Sequence, residues 1–111
     1  VWAVSGGAVA EHSIDPAQFG ITSATAQDLR GGDAAHNAGV ITDLLAGKSG
    51  PVRDAVVLNA GAALAVYDAT PATFSERLSA GIAKANDALD SGAAKASLDR
   101  WVSAIGELPT N

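Results

Sequence analysis

The chain is 111 residues long and carries a formal net charge of −5, from 7 basic and 12 acidic side chains. Its length bounds it to one small domain or part of a larger one, and 48% hydrophobic with 17% charged residues is a globular composition rather than a disordered one. The acidic balance argues against a nucleic-acid surface, because neutralising the phosphates needs clustered Lys and Arg; no run of about 18 apolar residues is free of charge to span a membrane; and the lack of Cys removes disulfides, thiolate nucleophiles and Cys-ligated zinc.

In chain order, Val1-Trp2-Ala3-Val4 reads as a strand already under way, which points to a piece of a longer chain. Ser5-Gly6-Gly7 is a turn, because the Gly pair allows positive φ, and a second strand is predicted over 8–14. Asp15-Pro16 is expected to end it, since Pro cannot donate to a ladder. Residues 17–32 read as a connection with one short helical turn near Ala24 to Leu29, broken by Gly31-Gly32. No basic leader with an apolar run is visible, and a Cys-free chain suits the cytoplasm.

Four helices follow, favoured by 25 Ala. The first is predicted over 34–46, capped by Asp33, with Ala34, Ala38, Ile41 and Leu45 on one face and Gly47 closing it. The second, over 52–67, starts near Pro51 and carries Val52, Val56, Ala60, Ala63 and Tyr67 as its stripe. Ala55-Val56-Val57-Leu58 could pass for a buried strand, but spacing of three and four persists for about four turns and favours helix. The third, over 74–90, has a capping box of Thr73 with Glu76, then Phe74, Leu78, Ile82, Ala85 and Leu89 in register, and stops at Gly92. The last, over 93–105, carries Ala94, Leu98, Trp101, Val102 and Ile105 and ends near Gly106 and Pro109.

Few residues suggest chemistry. His12 and His36 have no partner at the spacing of a His-Glu-x-x-His metal site and read as exposed or half-buried residues. Asp28, Asp33 and Asp43 would hold a cation only if the fold joined them; solvated carboxylates, with Asp33 as a cap, are the preferred reading. Ser5, Ser49 and Ser91 lie beside Gly at turns or caps, and none stands in a Gly-x-Ser-x-Gly elbow. Leu29-Arg30-Gly31-Gly32-Asp33 and Lys48-Ser49-Gly50-Pro51 each enter a helix. They read as ordinary entry loops, with anion binding on free backbone N–H groups as the alternative.

The string Leu29-Arg30-Gly31-Gly32-Asp33-Ala34, then Asn37-Ala38, Leu45-Ala46-Gly47-Lys48 and Gly50-Pro51-Val52-Arg53-Asp54-Ala55-Val56-Val57-Leu58-Asn59-Ala60, resembles the C-terminal part of the anthranilate phosphoribosyltransferase family. Ala88-Leu89-Asp90-Ser91-Gly92-Ala93-Ala94 with Leu98, and Ile14-Asp15-Pro16 with Phe19-Gly20-Ile21, fit the same stretch. The resemblance covers essentially the whole chain, and the ordered strings make it fairly specific.

The resemblance implies an α/β family fold of which this piece is mainly α, four helices after a short β-hairpin. Residues 1–111 would be the C-terminal part of the large α/β domain. It implies a tryptophan-biosynthesis transferase that moves phosphoribosyl from PRPP to the amine of anthranilate, with Mg²⁺, in the cytoplasm and as a homodimer. The family's Gly-Thr-Gly-Gly-Asp PRPP loop, its Lys-His-Gly-Asn-Arg segment, its anthranilate-binding Arg and its Asp-Glu magnesium pair have no match here. No catalytic, substrate-binding or metal residue therefore carries over. Phosphoribosyl transfer needs charge neutralisation and a positioned acceptor, so the piece alone is expected to be inactive scaffold whose partner is the remainder of the enzyme. The Gly and Ala of Asn59-Ala60-Gly61-Ala62-Ala63 would allow close approach to the catalytic sheet. A self-contained helical interaction module and a piece of a related nucleoside phosphorylase are the alternatives.

Overall fold

The computed structural model describes residues 1–68, 70 and 72–107. Two antiparallel strands, β1 (Trp2–Ser5) and β2 (Ala8–Glu11), form a hairpin in the register Trp2↔Glu11 to Ser5↔Ala8. Gly6 and Gly7 hold φ of 57° and 78°, positive at both central positions as a two-residue turn matched to strand twist requires. β2 stops at Glu11 rather than running to 14. The ladder closes with Val1 and His12 exchanging backbone bonds of 2.8 Å each way, and His12 then turns out to stack on Phe74, ring centroids 4.6 Å apart.

Asp15-Pro16 begins an element instead of ending one. The Asp15 carboxylate accepts from the Ala17 N–H at 3.0 Å, and a 3-10 turn runs over Pro16–Phe19. The helical turn expected near Ala24 to Leu29 is a bonded turn only, its first bond running from Asp28 N to Thr25 O.

The four helices stand where their punctuation puts them: α1 (Ala34–Leu45), α2 (Pro51–Asp68), α3 (Phe74–Asp90) and α4 (Ala93–Gly106). Asp33 caps α1 by accepting from His36 N at 2.8 Å. Thr73 and Glu76 form the expected capping box, with Thr73 N and Oγ1 donating to Glu76 Oε2 at 2.9 and 2.7 Å. Those bonds, the hydroxyl's foremost, hold the Glu76 carboxyl below its ordinary range. The Val52–Leu58 run is helical. A stop at Pro109 lies outside the described residues.

The core is small and sits between α2 and α3. Leu44, Val57, Leu78, Ile82, Ala85 and Leu89 form one buried cluster, matching the stripe expected for α3. The stripe expected for α2 is displaced: its buried residues are Val57, Gly61 and Ala65, while Val56 and Tyr67 face out. Gly61 and Gly81 explain the rotation. A Cβ on Gly81 would lie 2.1 Å from the Gly61 carbonyl oxygen, so the two backbones touch and α3 makes a close approach to Gly61. In α1 the buried residue is Leu44; Ile41 is exposed, and Ala34 and Ala38 with it. In α4, Trp101, Val102 and Ile105 are exposed because only its first turns reach the core, through Ala94.

The chain is open for its size. Its accessible surface is 7853 Å², against roughly 5,600 Å² for a folded monomer of this mass. Its radius of gyration is 16.4 Å, against about 13 Å for a compact domain. Trp2 (72% exposed), Val4 (73%) and Tyr67 (86%) account for part of that surface. Apolar surface on this scale associates. Sedimentation at micromolar concentration should show dimers or higher species. A stable monomer with cooperative unfolding and no dye-binding apolar surface would contradict this and favour a self-contained module.

Candidate functional site

The residues with chemical promise are each engaged locally. Asp28 accepts from Thr25 N at 2.8 Å and Thr25 Oγ1 at 2.7 Å, and the backbone bond above all holds its carboxyl below the usual range. Asp33 is the α1 cap, and Asp43 pairs with Lys48 at 2.9 Å. The fold does not join the three. Among the described residues no three His, Asp or Glu side chains converge as a metal site would need. His12 stacks on Phe74, and Ser91 Oγ accepts from Ala93 N at 3.4 Å beside the α3–α4 junction.

The first glycine loop is closed from within. Gly32 N donates to Asn37 Oδ1 at 2.9 Å and Asn37 Nδ2 returns a bond to Gly32 O at 3.0 Å, while Asp33 occupies the helix entry. At the second loop Lys48 is paired, Pro51 has no N–H, and Arg53 turns away to α3. Arg53 Nη2 donates to Asn86 Oδ1 at 2.9 Å and Asp90 Oδ1 at 2.7 Å, with its side chain only 12% exposed. The Arg of the Arg-Asp-Ala-Val string is thus a clamp between the start of α2 and the end of α3.

A groove of about 350 Å³ lies between β1 and the paired helices. β1 makes one wall; Ala62 and Val66 of α2 and Phe74 and Leu78 of α3 make the other. Besides Ser5 on β1, two polar residues of the helices line it. Asn59 Nδ2 is bound to Ala55 O at 2.8 Å, which leaves its oxygen as an acceptor. Arg77 Nε is buried and has no hydrogen-bond partner among the described residues. Only its Nε is placed this way; the residue as a whole is half-buried. Arg77 was not singled out from the sequence, and Asn59 stood there only within the strings that carry the resemblance. The available signal was Arg77 standing one position before Leu78, at the margin of the α3 stripe.

Comparison with known proteins gives the family. Residues 1–95 match the family model described as "Glycosyl transferase family, a/b domain". The chain is 61% identical over 104 residues to the anthranilate phosphoribosyltransferase of Nocardioides sp., covering 94% of this chain and 30% of that protein. It is 50% identical over 108 residues to the anthranilate phosphoribosyltransferase of Saccharopolyspora erythraea, covering 97% and 31%. With that of Arthrobacter sp. the figures are 47% over 103 residues, 92% and 29%. The chain thus spans about three-tenths of the length of these curated relatives.

Proposed function

The chain belongs to the glycosyl transferase family through its a/b domain, and from that premise we propose that it is the C-terminal scaffold portion of an anthranilate phosphoribosyltransferase. The whole enzyme would transfer the phosphoribosyl group of PRPP to the amine of anthranilate, releasing pyrophosphate, in the cytoplasm and as a homodimer. The observation that carries the reading is the 61% identity, over nearly all of this chain, to a relative bearing that name.

The work assigned to these residues is structural. Arg53 ties α2 to α3, and the Gly61–Gly81 contact fixes how closely they cross. Together they make a rigid two-helix platform on which catalytic segments can be held to the tolerance that positioning demands. Magnesium, which the whole enzyme is proposed to use, does not fit the donor set here: Asp28, Asp33 and Asp43 are apart, each with its own donors. No step is assigned to the metal on this chain.

Purified alone and supplied with PRPP, anthranilate and Mg²⁺, the chain should consume no PRPP above a buffer blank. Turnover that survives further purification would overturn the scaffold assignment.

A further inference from the structure

Helix α2 carries a second apolar stripe beside the one it gives to α3. Val56, Ala60, Ala63, Leu64 and Tyr67 stand at offsets of 0, 4, 7, 8 and 11 along it, which is one face of a helix. Ala94, Leu98, Trp101, Val102 and Ile105 stand at the same offsets along α4. Set side by side in that order, the stripes complement each other in size. Val56 falls opposite Ala94, Ala60 opposite Leu98 and Ala63 opposite Trp101, the large-against-small alternation by which helix faces interdigitate.

The two stripes already meet at one end. Ala94 packs against the core cluster and shares with Val56, Ala60 and Ala63 a trough of about 370 Å³. Ala85, Ala88 and Leu89 of α3 form its other wall, and every side chain lining it is apolar. Further along α4 the stripe is bare: Trp101 is 64% exposed, and Val102 and Ile105 are exposed with it. Tyr67, at the far end of the α2 stripe, is exposed too.

The chain direction suits the match. Arg53 at the start of α2 meets Asn86 and Asp90 at the end of α3, while Gly61 meets Gly81 and Ile82, so α2 and α3 run in opposite senses. Only Ser91 and Gly92 join α3 to α4, and a link that short sets neighbouring helices antiparallel. Folded back on α3, α4 therefore runs in the same sense as α2, as the paired offsets require. The link can turn. Gly92 holds a φ of 77° with nothing within 4 Å of a built Cβ, and it gives α4 no side-chain cap. Glycine takes up the backbone change of a hinge at low steric cost.

We propose that α4 is a strap hinged at Gly92, which swings onto α2, seats Trp101 against Ala63 and Ile105 against Tyr67, and closes α2, α3 and α4 into a three-helix bundle. The occupant of the trough is the chain's own α4 because a short tether holds it there at an effective concentration on the order of 1 mM.

The chain has no cysteine, so introduced pairs report closure. Tyr67→Cys with Ile105→Cys should form an internal disulfide, which needs the two Cα atoms within about 7 Å. At about 10 μM chain it should form about 100-fold faster than disulfides between copies. It should also outpace, by roughly 10-fold or more, the pair Tyr67→Cys with Ser103→Cys, whose second residue lies on the opposite face of α4. A second readout needs no cysteine. Trp2→Phe leaves Trp101 as the only indole; its emission should be that of a buried ring. Adding Ala63→Glu should shift that emission to an exposed ring's without loss of helix signal, since Ala63 lies outside the buried core. Equal cross-linking of the two pairs refutes the strap, as does emission of an exposed ring that Ala63→Glu leaves unchanged. Cross-linking whose rate rises with chain concentration refutes it as well, because the trough would then hold the α4 of a second copy.

Discussion

Gly81→Ala should destabilise the chain by about 3 kcal/mol, the upper part of the range for overpacked cores. The new Cβ would stand 2.1 Å from Gly61 O and 2.9 Å from Gly61 C, inside any allowed contact. Both neighbours are backbone, so no side-chain rotation relieves the clash; α2 and α3 must separate. Separation would thin the contacts of Val57, Leu78 and Ile82 at once, since all three belong to the cluster between those helices. Gly61→Ala should act in the same direction, because its Cβ meets the Ile82 backbone nitrogen at 2.8 Å. Gly39→Ala is the control. It sits inside α1 with nothing within 4 Å of a built Cβ, so the loss of backbone entropy in the unfolded chain should stabilise by about 0.5–1 kcal/mol. Denaturant midpoints at matched slope decide it. Gly81→Ala unfolding at the wild-type midpoint would show that the helices do not cross as described.

The same glycines explain where the sequence could and could not be read. Helix ends were legible because they are written in local chemistry: Asp33, the Thr73–Glu76 box, and Gly47 and Gly92 with φ of 91° and 77°. The α3 stripe was legible because polar residues separate its apolar ones. α2 has apolar residues on most sides, so spacing could not choose a face. The choice was made by a residue with no side chain, which no hydrophobic pattern registers. The end of β2 was misjudged because Pro16 was read as a strand stop, when Asp15 and Pro16 suit a helical turn just as well. The family was legible from ordered strings spread over the chain. The groove was not, since it joins residues 1–5 to residues 58–78, a juxtaposition that exists only after packing.

Leu78→Ala should have the largest effect of any single truncation, about 4 kcal/mol within the usual range of 2–5 for a buried leucine. Leu78 is 1% exposed and is the largest fully buried side chain described. It lies in the cluster with Val57, Ile82 and Leu89, so its removal opens a cavity at the centre rather than a notch at the rim. The Gly61–Gly81 contact prevents the helices from closing further to fill that cavity, which places the cost toward the top of the range. Seven buried apolar residues make up the described core, and a domain of this length has about 5–15 kcal/mol in total. A loss of this size should therefore remove most of the cooperative thermal transition, and dye binding should rise as the helices part. Val56→Ala, one position from buried Val57 but itself 37% exposed, should change stability by less than about 0.5 kcal/mol. If the two substitutions shift the midpoint equally, the buried face of α2 and α3 is not the one described. If Leu78→Ala alone collapses the transition, the α2–α3 contact holds the chain together by itself, and the hairpin and α4 add little to it.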